Sequence, residues 1–333
     1  MNKKTTIYIV ISSVIFVIIF TIALMVGRYN IKPNAFFKAI FTNDATYYTQ
    51  RVVIKNLRVP RTLMAALVGI GLSVSGLLYQ EIFQNKLVSP DLLGVSSGAS
   101  VGAALAIILS LPIFVVGLFS FIFGLIAVVA TILIYKFFKN GSSTILLLSG
   151  IIVGGFMSSV LAFIKYFANP DTTLASIVYW EMGTFQNALM KEAYIILGVV
   201  SVCTAFVLSI SWRINIVALG REDAQAKGIN YNLYRYLIII VSTLLTAISV
   251  CFCGRISWVG LVVPHISRLI AGRNTQKSIP LCITFGSIFM IFSDILARTF
   301  IDSELPISAV TGLFGTIIFL IIFFSRRKYI NEH

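Results

Sequence analysis

The sequence predicts an all-α integral membrane protein, a polytopic bundle of about ten transmembrane helices forming one domain over residues 1–333. Its composition is 58% hydrophobic and only 11% charged, and long uncharged runs recur from one end to the other. Runs of about 18 or more apolar residues satisfy their backbone hydrogen bonds in lipid by forming helices that cross it. We therefore interpret each run as a helical span.

Ten predominantly apolar runs follow one another along the chain, and only the eighth and ninth contain a charged residue. The first covers 21 residues and leads into another span, whereas a secretory signal has a shorter apolar stretch and a small-residue cleavage site, so we interpret it as a retained helix. The eighth run is short and carries His265 and Arg268. In order, the runs are residues 7–27, 62–79, 92–110, 113–135, 143–164, 193–211, 236–254, 256–272, 279–297 and 306–325.

The net charge of +14 indicates membrane topology rather than nucleic-acid binding, because Lys and Arg accumulate in the cytoplasmic segments of multispanning proteins. With the N-terminus inside, 14 of the 26 Lys and Arg residues lie in inner segments and 11 in outer ones. Seven of those 11 belong to one outer segment, residues 28–61. The pattern predicts that both termini and a polar segment at about residues 212–235 are cytoplasmic.

Small residues recur within the spans at the four-residue spacing that lets helix backbones approach closely. The motifs are GVSSGASVG at residues 94–102, GIIVG at 150–154 and GIGLSVSG at 69–76. They favour a compact bundle, and leave open whether any of them also lines a pathway.

Catalysis, a bound cofactor and a bound metal are not predicted. There are two histidines, of which His333 is the last residue, and His265 has no carboxylate near it in sequence. The four cysteines fall inside spans and are interpreted as small apolar helix residues. No Gly-rich loop ending in Gly-Lys-Ser or Gly-Lys-Thr is present, so any ATP and Mg²⁺ would be bound by a partner.

Few charges lie within the spans, although ion-coupled carriers normally keep ionisable residues there. Only Asp294 and Arg268 lie well inside, and Asp294 is four residues from Arg298, close enough for the two to pair on one helix face. The energy source is therefore expected outside the membrane, and the polar segment at 212–235 is the natural place to receive it.

Five segments of the chain form a pattern when taken together: LRVPRTLMAALVGIGLSVSGLLYQEIFQNKLVSPDLLGVSSGASVG at residues 57–102, YWEMG at 179–183, ALGREDAQAKGIN at 218–230, GRISWVGLVVPHISRLIAG at 254–272 and SDILARTFIDSELPISAVTGLFG at 293–315. They resemble the FecCD-type permeases, the membrane subunits of ABC importers for iron-siderophores, haem and cobalamin. Where that family usually has Asn-Pro-Leu after the second span, this chain has Asn85-Lys86-Leu87, which leaves the shape of that loop open.

The resemblance implies a type II ABC importer permease in the cell membrane, paired with a second copy of itself or a close homologue. The substrate path would follow the two-fold axis. A dimer of cytoplasmic ATPase subunits would sit below, and an extracytoplasmic substrate-binding protein would dock above. The cargo stays open among an iron-siderophore, haem and cobalamin. The alternative is a secondary transporter or channel for a small solute that works without an ATPase.

By the same resemblance, the loop between the sixth and seventh spans couples to the ATPase. Acidic residues favour the start of its short helix, a glycine is placed to end it, and Ala224 and Ala226 are expected to keep its surface thin. A solvated loop is the alternative. The coupling residues are Ala218, Leu219, Gly220, Arg221, Glu222, Asp223, Ala224, Ala226 and Gly228.

The resemblance also implies an inner gate and an outer docking site. The gate would use Asn85 and Leu87 with Ser143 and Thr144, and the fifth span would line the path with Gly150 and Gly154; a plain turn and helix cap at NGSST is the alternative. Docking on acidic residues of the binding protein would use three arginines, whose planar guanidinium groups pair with carboxylates through two hydrogen bonds. Anchoring at lipid headgroups, and pairing of the last arginine with Asp294, are the alternatives. The three are Arg58, Arg61 and Arg298.

Overall fold

A computed structural model describes residues 3–42, 44–138, 142–272, 274–301 and 303–330. Within these ranges the chain is almost entirely helical. The helices, in chain order, are α1 Lys3–Met25, α2 Pro33–Phe41, α3 Tyr48–Val52, α4 Val59–Ile82, α5 Val95–Ile108, α6 Ile113–Lys136, α7 Ser143–Phe167, α8 Ala175–Met182, α9 Met190–Ser209, α10 Ser211–Val217, α11 Arg221–Ala226, α12 Tyr231–Cys253, α13 Val259–Ala271, α14 Thr275–Thr299 and α15 Ile307–Ile330.

The predicted all-α membrane bundle is confirmed. Eight helices of the described chain are long and apolar enough to cross a membrane, and two shorter apolar ones, α5 and α13, match the third and eighth predicted runs. Both are shorter than predicted because left-handed residues delay their starts. Gly94 (φ +81°) precedes α5, and Gly254 and Trp258 (both φ +72°) precede α13.

Helix α4 occupies the centre of the bundle. Nine-tenths of its apolar window is buried, and it packs against α14, α12, α13 and α9. A helix that is apolar on all sides, as α4 is, requires burial on all sides. By contrast, α1 is about one-tenth buried, and α6 and α9 are one-third buried, so these helices lie at the periphery. We call the end of the bundle that carries α10 and α11 the inner end, and the opposite end, where α1 stops, the outer end.

Glycines bring α4 into backbone contact with two neighbours, which confirms the close-packing interpretation of GIGLSVSG. A Cβ added to Gly69 would lie 2.1 Å from the carbonyl oxygen of Gly286 in α14. A Cβ added to Gly76 would lie 1.9 Å from the carbonyl oxygen of Gly260 in α13. Neither distance leaves room for a methyl group, so the crossings depend on glycine.

Replacing Gly76 with alanine is therefore expected to lower the thermal midpoint of the detergent-solubilised protein strongly. The methyl group meets backbone atoms that cannot move aside, and overpacking of this kind costs about 1 to 3 kcal/mol or more. Gly198→Ala in α9 is the matched control, because a Cβ there meets nothing within 4 Å. A Gly76→Ala protein that melts with wild-type and Gly198→Ala would contradict the crossing.

Arg268, one of the two charges predicted to lie well inside the spans, is paired with other side chains. Arg268 donates to Glu81 Oε1 at 2.9 Å and also to Gln80. The His265 ring lies 5.7 Å from the Phe319 ring, consistent with a structural role. All four cysteines are free and buried within spans, as predicted. Among the residues that the structure describes, no group of three or more His, Cys, Asp or Glu residues could hold a metal ion.

Candidate sites at the two ends of the bundle

The polar segment between α9 and α12 folds into two short helices, α10 and α11, at the inner end. Gly220 (φ +120°) precedes α11, and Glu222 and Asp223 lie in its first turn as predicted. Gly228 (φ +72°) ends it: the Gly228 N–H donates to Gln225 O and the Ile229 N–H to Ala224 O, both at 2.9 Å. This pair of bonds closes a helix with a left-handed glycine. The prediction of a short helix ended by Gly228 is confirmed.

The two alanines of α11 face opposite ways, which corrects part of the surface predicted for this loop. Ala224 is fully buried in the subunit's own core, whereas Ala226 is exposed. Leu219 is 54% exposed although it is apolar, and Ala218 is half-buried. The exposed side of the loop consists of Leu219, Arg221, Glu222, Asp223, Gln225, Ala226, Lys227 and Gly228.

Two hydrogen bonds fasten this loop to the ends of neighbouring spans. The Asn215 side chain in α10 accepts from the backbone N–H of Thr275, at the start of α14, at 3.1 Å. Gln84, just after α4, donates from Nε2 to the carbonyl oxygen of Ala218 at 3.1 Å. Gln84 itself has φ +50°, an uncommon conformation for a residue with a side chain. The second bond joins the loop directly to the segment that follows α4.

The predicted gate residues occupy adjoining positions at this inner end. Asn85 Oδ1 accepts from the Leu87 N–H at 2.9 Å, and Leu87 is 64% exposed. Ser143 Oγ donates to Ile82 O at 3.2 Å, which joins the start of α7 to the end of α4, and Thr144 is exposed. A polar turn at Asn85 thus shapes the loop without the family's proline.

The alternative of a helix cap is also present at the start of α7. Ser142 accepts from the Ile145 N–H at 3.4 Å, while Asn140 and Gly141 of the NGSST motif lie outside the described residues. Capping α7 and narrowing a path are compatible, since Thr144 remains exposed beside the cap.

The two glycines predicted to line the path, Gly150 and Gly154, pack toward the inside of the subunit rather than on the open side of α7. A Cβ on Gly150 would lie 2.2 Å from the Leu92 carbonyl oxygen, and Gly154 is half-buried near Gly94. This placement corrects the expectation that Gly150 lines the path. The open side of α7 is uncharged and consists of Thr144, Leu148, Ile151, Ile152, Gly155, Phe156, Ser158, Ser159, Ala162, Phe163, Tyr166 and Phe167.

At the outer end, Arg58 and Arg298 satisfy the last carbonyl groups of α1. Arg58 donates to Leu24 O at 2.8 Å, to Met25 O at 2.6 Å and also to Tyr29 O. Arg298 Nη2 donates to Ala23 O at 2.7 Å. The final carbonyls of a helix lack intrahelical partners, so two guanidinium groups close this end of α1.

Arg61 is held by two carboxylates. Its Nη2 lies 2.7 Å from Asp294 Oδ1 and 2.6 Å from Glu304 Oε1, and Nη1 donates to Glu304 Oε2 at 3.1 Å. Asp294 is fully buried and also lies 3.4 Å from Arg298 Nε, so the predicted pairing of those two residues is confirmed. Arg58 and Arg298 are buried and the Arg61 side chain is only 12% exposed, which argues against anchoring of these arginines at lipid headgroups.

An open crevice of about 300 Å³ borders this cluster, and all three predicted docking arginines line it. Arg28, which is exposed, and Glu304 line it as well. The sequence interpretation missed Glu304, although an acid in an outer loop facing a basic outer segment was a usable signal. It also missed Gln84, whose contact with Ala218 depends on packing between distant segments.

A family model described as the FecCD transport family matches residues 15–325. The molybdate import system permease protein MolB of Haemophilus influenzae is 33% identical over 96% of this chain and 96% of its own length. A Helicobacter pylori protein named as an iron chelatin transport system permease is 34% identical over 86% of this chain and 87% of its own length. The vitamin B12 import permease of Citrobacter koseri is 32% identical, with coverages of 95% and 93%.

Solved structures agree with these relatives. The inward-facing conformation of an ABC transporter assigned to the metal-chelate type superposes with a TM-score of 0.87 at 32% identity, covering 96% of this chain and 99% of the other. PsaBC from Streptococcus pneumoniae, at 18% identity and a TM-score of 0.62, shares the fold, with coverages of 81% and 92%. The chain is a multi-pass membrane protein and belongs to the FecCD transport family.

Proposed function

We propose that this chain is the membrane-spanning permease subunit of an ABC importer that moves a metal chelate into the cytoplasm. The exposed side of the loop formed by α10 and α11 supports this proposal best. It presents charged side chains and the exposed apolar Leu219. A hydrogen bond from Gln84 connects it to the segment that contains the gate residues. An ATPase that grips this loop would pull directly on the gate.

The same proposal fixes the orientation and the partners. Both termini and the inner end face the cytoplasm, in line with the distribution of Lys and Arg. Two copies of the chain, or this chain and a close homologue, enclose the path, and the open side of α7 faces the two-fold axis. ATP and Mg²⁺ bind to a separate ATPase dimer, because the sequence contains no phosphate-binding loop.

For the cargo we propose an iron-siderophore, haem or cobalamin, as in the iron chelatin and vitamin B12 relatives. A metal oxyanion is the second candidate, because the molybdate permease is 33% identical over 96% of the chain. The uncharged open side of α7 suits a cargo that is recognised by its binding protein and slides past the permease. Binding of labelled chelates and of molybdate to the cognate binding protein would discriminate between the two.

The outer crevice is the proposed docking point for that binding protein. A carboxylate from the partner would enter between Arg28 and the other three arginines of the crevice, where several positive charges meet. Such pairing is charge-assisted and weakens as salt rises, because the mouth of the crevice is solvated.

The decisive experiment reconstitutes the permease with its ATPase and binding protein in proteoliposomes. Uptake that requires ATP inside the vesicle and the binding protein outside supports the importer. Uptake of a small solute by the permease alone, with no ATPase in the native complex, would establish the channel or secondary transporter instead.

Cysteines placed at Leu87 and Thr144 are expected to crosslink between the two subunits when the inner gate is closed. Both positions are exposed within one subunit and lie at the inner end near the proposed axis. The four native cysteines are buried, and wild-type protein treated in the same way measures their background reaction. The measurement is dimer formation on non-reducing gels with and without nucleotide, with a Cys at exposed Lys136 as the control. Absence of the crosslink in every nucleotide state would contradict this gate.

A further inference from the structure

A second pocket opens at the outer end, and the proposed function uses only the rim that it shares with the docking crevice at Leu57, Gln186 and Ala188. Its volume is about 900 Å³, which lies within the range of small-molecule sites. The starts of α4, α6 and α9 and the ends of α5 and α12 surround it, and α8 covers one side.

The walls of this pocket are mainly apolar and aromatic. Its interior reaches the buried residues Met64 and Cys251, which lie in the first two turns of α4 and the last turn of α12. Such a lining favours an apolar ligand of some length, because burying its surface removes that surface from water. The aromatic residues are Phe114, Tyr179, Trp180, Phe185 and Phe252.

A single carboxylate, that of Glu192, interrupts this lining. Glu192 is half-buried in the first turn of α9, and its Oε2 accepts from the Leu189 N–H at 3.2 Å. Among the residues that the structure describes, no Lys or Arg forms a salt bridge with it. A partly desolvated carboxylate beside aromatic rings attracts a cation, both by charge and through the negative faces of the rings.

Three strongly exposed residues of the pocket lining lie at the starts of α6 and α9, two peripheral spans. They are Ile113, Phe114 and Leu189, which are 62%, 56% and 57% exposed. Below them, α6 continues the exposed apolar stripe toward the inner end. A face this apolar on a peripheral span fits contact with lipid tails, which are themselves apolar. The stripe consists of Leu118, Ile122, Ile126, Val129 and Leu133.

From this geometry we propose that the pocket holds a phospholipid of the outer leaflet with an ammonium headgroup, such as phosphatidylethanolamine. The ammonium pairs with Glu192, and one acyl chain runs inward past Phe114 toward Met64 and Cys251. Exposed side-chain amides at Gln186 and Asn187 on the rim donate to the phosphate. The lipid fills a gap between the ends of five spans and so fixes α8 and the loop that follows it.

The test uses wild-type protein in lipid nanodiscs that contain a photoreactive acyl-chain analogue of phosphatidylethanolamine or of phosphatidylglycerol. Peptides crosslinked to lipid are identified by mass spectrometry. We expect the ethanolamine lipid to label the end of α12 about fivefold more than the glycerol lipid does, because only the former carries the cation. Equal labelling by both, or labelling only outside the pocket, overturns the proposal.

Three variants sharpen this result. Glu192→Gln keeps the side-chain acceptor for the Leu189 N–H and removes only the charge, so ethanolamine labelling should fall to the glycerol level. Ala188→Phe fills the pocket and should reduce labelling by both lipids. Asp171→Asn removes an exposed acid at the same end of the bundle and should change nothing. Wild-type labelling in Glu192→Gln, or an equal loss in Asp171→Asn, contradicts recognition of the headgroup.

A measurement on the wild-type protein tests the proposal without any variant, so its result does not depend on whether a variant folds. Cys251 lines the pocket, so lipid in the pocket should shield it. In delipidated protein, adding phosphatidylethanolamine is expected to slow alkylation of Cys251 by a small thiol reagent. Cys203 in α9, which does not line the pocket, is the internal reference. An unchanged rate at Cys251 overturns the proposal, and none of these experiments depends on transport.

Discussion

Ala226→Trp is expected to abolish ATP-driven uptake and to release the ATPase from the permease, while the permease itself folds normally. Ala226 is exposed at the end of α11, so an indole there adds volume to the proposed docking surface without touching the subunit's core. Added bulk at a packed interface costs about 1 to 3 kcal/mol, and each 1.4 kcal/mol lowers affinity about tenfold. Co-elution with the ATPase and initial uptake rates measure the effect.

Ala224→Trp is the matched comparison, two residues away on the same short helix. Because Ala224 is fully buried, the indole must displace the subunit's own core, and the expected result is a protein that expresses poorly or melts early. Loss of uptake in that variant therefore says nothing about docking. Gly220 is equally unsuitable, since any side chain at φ +120° strains the backbone. An Ala226→Trp protein with wild-type stability, ATPase binding and uptake would contradict the coupling surface.

The spans could be predicted from the sequence because burial in lipid imposes long uncharged runs that few other folds require. The glycine crossings were predictable for a different reason: only small residues let α4 approach α13 and α14 so closely. The late starts of helices α5 and α13 could not be predicted from the sequence. They depend on left-handed residues such as Trp258, and a tryptophan carries no local signal for that conformation.

Within the sites, the sequence indicated which residues are unusual but not what they contact. Alanine suits both a buried position and a thin surface, so the opposite orientations of Ala224 and Ala226 followed only from how α11 packs. Arginines in an outer segment likewise suggested an external partner. The structure places Arg58 against the carbonyls that end α1, a partner without any sequence signature.

Arg61→Glu is expected to destabilise the permease severely, before any question of docking arises. The change would place a third carboxylate beside Asp294 and Glu304, and would leave Asp294 fully buried with only Arg298 to balance it. Breaking a buried ion pair by removing one partner costs about 3 to 5 kcal/mol, and like-charge repulsion adds to that cost. The thermal midpoint in detergent measures the loss. The double variant Arg61→Glu with Glu304→Arg exchanges the paired charges and should recover part of it.

Arg28→Glu separates docking from stability at the same crevice. Arg28 is exposed, so reversing its charge should leave the thermal midpoint unchanged, yet it removes a positive charge from the mouth that the binding protein is proposed to enter. We expect weaker capture of the binding protein, with a smaller dependence on salt than in wild type, because charges near solvent act mainly through screened attraction. An Arg61→Glu protein as stable as wild type would contradict the buried cluster. Wild-type capture by Arg28→Glu at low salt would instead count against docking at this crevice.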